Sequence, residues 1–244
     1  MTDAWRTPSP SGRDLGRLAT SVSLRQVRKA VSYRRLLLDA HLASVSGVMT
    51  GTVIDLGGKR QRRRGEFQPP EDEPSRWIVV NIDPGTEPDL LCDVTAVPVP
   101  GDSADCVLCT EVLEHLPDPK ACVQEAIRLL RPGGTFIASV PFMYPVHPDP
   151  HDFQRFTPDG LHLLLKPFSS VEIRAMGGIP GTVGSLIELG GRQASRAHLH
   201  GRWLRRGLFE LGRLLAYLDL RRGNAARDAQ ATTLTTGYFA VAVK

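Results

Sequence analysis

His147, Asp149 and His151 lie within the run PFMYPVHPDPHDFQRFT, Pro141 to Thr157, and carry side chains suited to proton transfer or cation binding. His147 and Asp149 each precede a proline, which pushes both towards extended backbone. In an extended chain the three lie on one side, alternate residues about 6.6 Å apart. Two imidazoles and a carboxylate on one face suit a general base, because an unperturbed imidazole titrates near neutral pH. With Asp152 as a further carboxylate, they also suit a divalent ion, so His147, Asp149 and Asp152 are candidate ligands. The competing reading is a rigid loop with solvated histidines, braced by an Asp152–Arg155 ion pair.

A second constellation, GTVIDLGG, runs from Gly51 to Gly58. Val53 and Ile54 fit a buried strand, and Gly57 and Gly58 turn the chain sharply after it. Asp55 then stands at the carboxyl end of the strand, where open α/β sheets bind ligands, and glycine allows close approach to backbone.

Other elements repeat that pattern. Trp77–Ile82 ends at Asp83, and Leu90–Leu91 precedes Asp93. Ala104–Cys109 leads into Thr110 and Glu111, and Gly134–Val140 into Pro141. Strands finishing at polar residues, with helical segments between several of them, predict an α/β doubly wound, mostly parallel sheet. Val171–Met176 and Tyr238–Val243 complete seven strands. Asp83 has the two oxygens needed to accept a pair of neighbouring hydroxyls, although Pro84 and Gly85 leave room for a turn-capping role. Glu114 and His115, adjacent in sequence, are expected to point to different sides of a helix, with His115 packing or capping.

These segments resemble the class I S-adenosylmethionine-dependent methyltransferases of the type 11-like group. The resemblance rests on VIDLGG, NIDPG, DVTAVPVPGDSADCVLCTEVLEHLPDP and LLRPGGTFIASVP, and covers residues 50 to 176. It implies a Rossmann-like fold and S-adenosylmethionine as cofactor. It also implies cofactor contacts from Asp55, Leu56, Gly57, Gly58, Asp83, Asp93, Val94, Thr110 and Glu111, with Asp83 at the ribose. The third glycine that such proteins usually carry near Lys59 is missing. PFMYPVHPDPHDFQRFTPDGL is similar to a subgroup tied to sugar and cell-envelope polysaccharide pathways. The expected function is therefore O-methylation of a sugar hydroxyl, such as that of a mannoside, with His147, Asp149, His151 and Glu111 as catalytic candidates. A divalent metal such as magnesium is a further expected cofactor in one of the two mechanisms. RNA or natural-product methylation, and an inactive cofactor-binding scaffold, are the alternatives.

The length of 244 residues accommodates one such domain with an appendage. A net charge of +4 permits an anionic partner without demanding one. The basic run Lys59–Arg64 lacks interleaved aromatics, so it is a weak nucleic-acid signal. Neither a signal-peptide core nor a membrane-spanning run stands out, which predicts a cytoplasmic protein. Cys106 and Cys109 point to opposite faces of a strand, and all four cysteines read as buried reduced thiols.

Residues 1–20 read as a mobile tail and 21–244 as the methyltransferase domain. Ser21–Ser44 reads as one helix with Arg34 and Arg35 on a basic outer face. Residues 177–236 read as a helical insertion serving as a lid or a homodimer interface. Its leucine-rich, arginine-rich helix also suits peripheral membrane contact.

Overall fold

The computed structural model describes residues 22–60, 65–68, 76–196, 201–223 and 233–244. The expected tail, most of the basic loop 59–64 and residues 197–200 and 224–232 of the expected insertion lie outside the described residues.

Seven strands form one sheet: β1 (Thr52–Leu56), β2 (Arg76–Asn81), β3 (Leu90–Leu91), β4 (Ala104–Thr110), β5 (Leu130–Pro141), β6 (Ser170–Ala175) and β7 (Gly237–Val243). Their order is β3-β2-β1-β4-β5-β7-β6. The pairings from β3 through to β5 are parallel, whereas β7 runs antiparallel to both of its neighbours. The strand order reverses between β1 and β4, which creates a crevice at their carboxyl ends.

Both faces of the sheet are covered, so its strands are almost continuously apolar. Along β1, Ile54 and Leu56 enter one core cluster while Val53 enters the other; Cys109 and Cys106 divide in the same way on β4. The first face packs against α3 (Pro119–Leu129) and α4 (Pro158–Leu164). Asp118 caps α3 by accepting from the Lys120 and Ala121 amides, and Cys122, Val123, Ala126 and Leu129 form its buried stripe.

The second face is covered by α1 (Leu24–Lys29), α2 (Tyr33–Ser44) and α6 (Arg202–Arg221). The single helix expected over Ser21–Ser44 is in fact two. Ser32 is extended and caps α2 through the Arg35 amide, which breaks the helix after Lys29. This break turns Arg34 inward, and it is buried rather than on a basic outer face. Between β6 and β7, α5 (Ile179–Arg196) and α6 pack against each other, and α6 also packs on α1.

Candidate functional site

A cavity of about 750 Å³ opens along the carboxyl edge of the sheet, under α2 and α5. Its floor is the turn after β1. Gly57 has φ +75°, and a side chain there would meet Val112 at 2.4 Å; one on Gly58 would meet the Asp55 carboxyl at 2.4 Å. Only glycine leaves this turn open. Asn81, at the end of β2, holds the turn by donating from Nδ2 to the carbonyls of Gly57 (3.1 Å) and Gly58 (2.8 Å). Its Oδ1 accepts from the Asp83 amide at 2.9 Å.

Asp55, Asp83 and Asp93 all line this cavity, and so do Val94, Thr110 and Glu111. Asp83 spends one oxygen on the Gly85 amide at 2.8 Å, so it also has the capping role. Asp93 Oδ1 accepts from the Thr95 amide and hydroxyl, each at 2.8 Å. Leu56 differs from the rest: its side chain is fully buried in the core, because period-two alternation carries it beneath the sheet.

Glu111 is a non-glycine residue at φ +58°, a conformation that surrounding contacts must hold in place. Its carboxylate takes a two-pronged ion pair from Arg34, with Nη2 2.6 Å from Oε1, and a hydrogen bond from the Ser139 hydroxyl at 2.6 Å. Glu111 is therefore committed as an acceptor and is a poor base. Burial pulls the Arg34 guanidinium down to about 10, with the nearby Glu114 charge opposing.

His147, Asp149 and His151 all line the cavity, but they do not close into one cluster. The loop bends, Asp149 turns to Lys59 Nζ at 3.0 Å, and the His151 ring packs near Phe153. Asp152 is not an open ligand either. Its two oxygens receive Arg155 Nη1 (2.5 Å) and Nη2 (2.7 Å), and Oδ2 also accepts the His147 amide at 2.9 Å. The hydrogen bonds from Arg155 hold the Asp152 carboxyl well below the usual carboxylate range.

The structure instead gathers Glu114, His115 and His147, whose ligand atoms lie within 4.8 Å of one another. The loop is pinned over the 3₁₀ turn Leu113–His115 by the Phe153 amide on the Glu114 carbonyl (2.9 Å). Gln154 Nε2 reaches the Leu116 carbonyl, also at 2.9 Å. His115 Nδ1 faces the His151 carbonyl at 2.5 Å, and His147 Nδ1 faces the Pro145 carbonyl at 3.1 Å. Those acceptors assign the ring hydrogens to Nδ1 and leave Nε2 as the lone-pair nitrogen. Both Nε2 atoms lie 3.7 Å from Glu114 Oε1. Glu114 is fully buried and neither of its oxygens has a hydrogen-bond partner. His115 thus joins the cluster instead of merely packing, contrary to what its adjacency to Glu114 suggested.

Residues 77–138 match the family model described as a methyltransferase domain. That segment is similar to methyltransferase domains. The chain's seven-stranded topology is the Rossmann-like class I methyltransferase fold. A solved SAM-dependent methyltransferase from Archaeoglobus fulgidus superposes with TM-score 0.52 and 16% identity, covering 86% of this chain and 94% of that one. Haemonchus contortus phosphoethanolamine N-methyltransferase 2, solved with S-adenosyl-L-methionine, gives 0.51 and 15%, covering 96% and 60%.

In sequence, the chain is 32% identical over 138 residues to a Mycolicibacterium smegmatis protein named a probable S-adenosylmethionine-dependent methyltransferase. That match covers 57% of this chain and 44% of the relative. It is 42% identical over 53 residues to a ubiquinone biosynthesis O-methyltransferase of Cupriavidus pinatubonensis, 21% of each chain. The chain thus spans less than half the length of these curated relatives. No helix among the described residues is long and apolar enough to cross a membrane.

Proposed function

We propose that this chain is an S-adenosylmethionine-dependent O-methyltransferase acting on a hydroxyl of a saccharide, a mannoside in the reading its sequence favours. The observation that carries this reading is a single cavity bordered both by the glycine turn with Asp55, Asp83 and Asp93 and by the histidine pair beside buried Glu114.

The residues present fit the cofactor. A side chain at Gly57 or Gly58 would fill the cradle for its amino-acid end. Asp83 would accept the ribose hydroxyls, Asp93 and Val94 would border the adenine, and Thr110 with the Arg34–Glu111 pair would border the methionine portion. When bound, S-adenosylmethionine supplies a methyl carbon already activated by a cationic sulfur. The protein then has to align the acceptor, a contribution that reaches about 7 to 11 kcal/mol in favourable cases.

A hydroxyl oxygen is a weak nucleophile until its proton leaves. His147 takes that proton at Nε2, since its Nδ1 is engaged by the Pro145 carbonyl and lies 3.2 Å from Asp152 Oδ2. Glu114 balances the positive ring that results. Tyr144, Phe153 and Asp149, all on the cavity wall, add the aromatic and carboxylate surface a sugar ring uses.

The unbonded Glu114 oxygens favour a second reading, in which Glu114, His115 and His147 hold a divalent cation that acidifies the acceptor hydroxyl. It replaces the ligand set expected from sequence, whose Asp149 and Asp152 are paired elsewhere. Methyl transfer to a panel of mannose and glucose glycosides, run with chelator and again with added magnesium or manganese, tests both. The proposal expects transfer to at least one glycoside in chelator. Transfer that requires the metal favours the second reading, and no transfer to any glycoside rejects the saccharide acceptor.

A further inference from the structure

The helices α5 and α6 turn apolar side chains to solvent. Their inward sides carry buried polar groups, on α6 beside the core residues Ala216 and Leu220. Arg213 is 1% exposed, donating to Glu188 Oε1 at 2.9 Å and to the Val27 carbonyl at 2.5 Å. Asp219 is fully buried and accepts from the Tyr33 hydroxyl (2.5 Å) and the Gly178 amide (2.8 Å). The helices meet at Gly184 and Gly212, where a side chain on either would come within 2.5 Å of the other's carbonyl.

Their outward sides are apolar. On α6, Trp203, Leu211, Leu214 and Leu218 recur at helical spacing and are all exposed, Trp203 by 82%. On α5, Ile179, Val183 and Leu186 form a second exposed stripe. A surface helix ordinarily buries its apolar side, so apolar stripes turned to solvent on both helices mark an interaction site.

We infer that this part of the molecule, led by the exposed apolar stripe of α6, docks peripherally on an anionic lipid surface. Charge selects that occupant. Arg206 and Arg222 are exposed towards the two ends of α6. The acids among the described side chains of both helices are turned away or paired: Glu188 and Asp219 are buried, and Glu210 pairs with Arg28 at 2.7 Å. A second copy would set arginines against arginines across a two-fold axis, whereas lipid phosphates accept them. Trp203 suits the headgroup boundary, and leucines enter the acyl edge without spanning it. Ser185, Glu188 and Leu189 put the inner side of α5 on the wall of the cavity, so the same helix borders site and membrane.

Co-sedimentation of the full chain with vesicles tests the inference independently of methyl transfer. Binding is expected to vesicles of phosphatidylcholine with phosphatidylglycerol and not to phosphatidylcholine alone, and to weaken with salt. Leu211→Glu with Leu214→Glu should lower the partition at least about tenfold while leaving the thermal transition in place, because both sites are exposed. Arg206→Glu with Arg222→Glu should produce a comparable loss, about tenfold, specific to the anionic vesicles. Equal binding to both vesicle types, no binding to either, or a dimer that Leu211→Glu with Leu214→Glu converts to monomer would each overturn it.

Discussion

Arg34 on α2 grips Glu111 at the end of β4 with both guanidinium prongs, across 77 residues of sequence. This pair fastens the N-terminal helix to the strand edge that borders the cavity and holds Glu111 at its positive φ. Arg34→Leu leaves the Glu111 carboxylate partly buried, with the Ser139 hydroxyl still donating to it. Unfolding by denaturant should show a loss of roughly 3 to 5 kcal/mol, the cost of removing one partner from a buried pair. A loss below about 1 kcal/mol, the range of exposed pairs, would show that the contact does not hold the helix.

Asp83 has one oxygen on Gly85 and the other available to a ligand. Asp83→Asn keeps a capping acceptor while replacing the other oxygen with a donor. Calorimetric titration should show S-adenosylmethionine affinity weakened by about 1 to 3 kcal/mol with little change in melting temperature. Unchanged affinity would remove Asp83 from the cofactor site.

The sheet and the glycine turn were legible because their signals are local: apolar β-branched runs ending at acids, then paired glycines. The loop that carries His147 was not, because its geometry is set by contacts distant in sequence. Alternation along an extended chain groups His147, Asp149 and His151, and all three border the cavity, but Lys59 pairs with Asp149, and Phe153 and Gln154 tie the loop to the Leu113–His115 turn. Glu114 and His115 were separated by helical reasoning, which does not account for His115 being steered by the His151 carbonyl. Arg34 reads as solvent-facing from sequence, and only the fold brings Glu111 opposite it. Asn81, within the NIDPG segment, could have been read as a turn-holding side chain from its position just past the apolar run.

Asp152 sets an acid limit on the loop. Its carboxyl titrates below the ordinary value of about 3.9 because Arg155 donates to it, so its contribution is full above that value and is lost as pH falls beneath it. Melting temperature should therefore fall from pH 4 to pH 2, and Asp152→Asn should be less stable at neutral pH but less acid-sensitive over that interval. Equal acid sensitivity of variant and wild type would locate the limit elsewhere.

The most direct test is the rate of methyl transfer by His147→Ala, with S-adenosylmethionine affinity measured on the same preparation. If His147 takes the acceptor's proton, turnover should fall by roughly 10²- to 10⁴-fold while cofactor affinity stays within about twofold of wild type. Full turnover in His147→Ala would contradict this assignment of the chemistry.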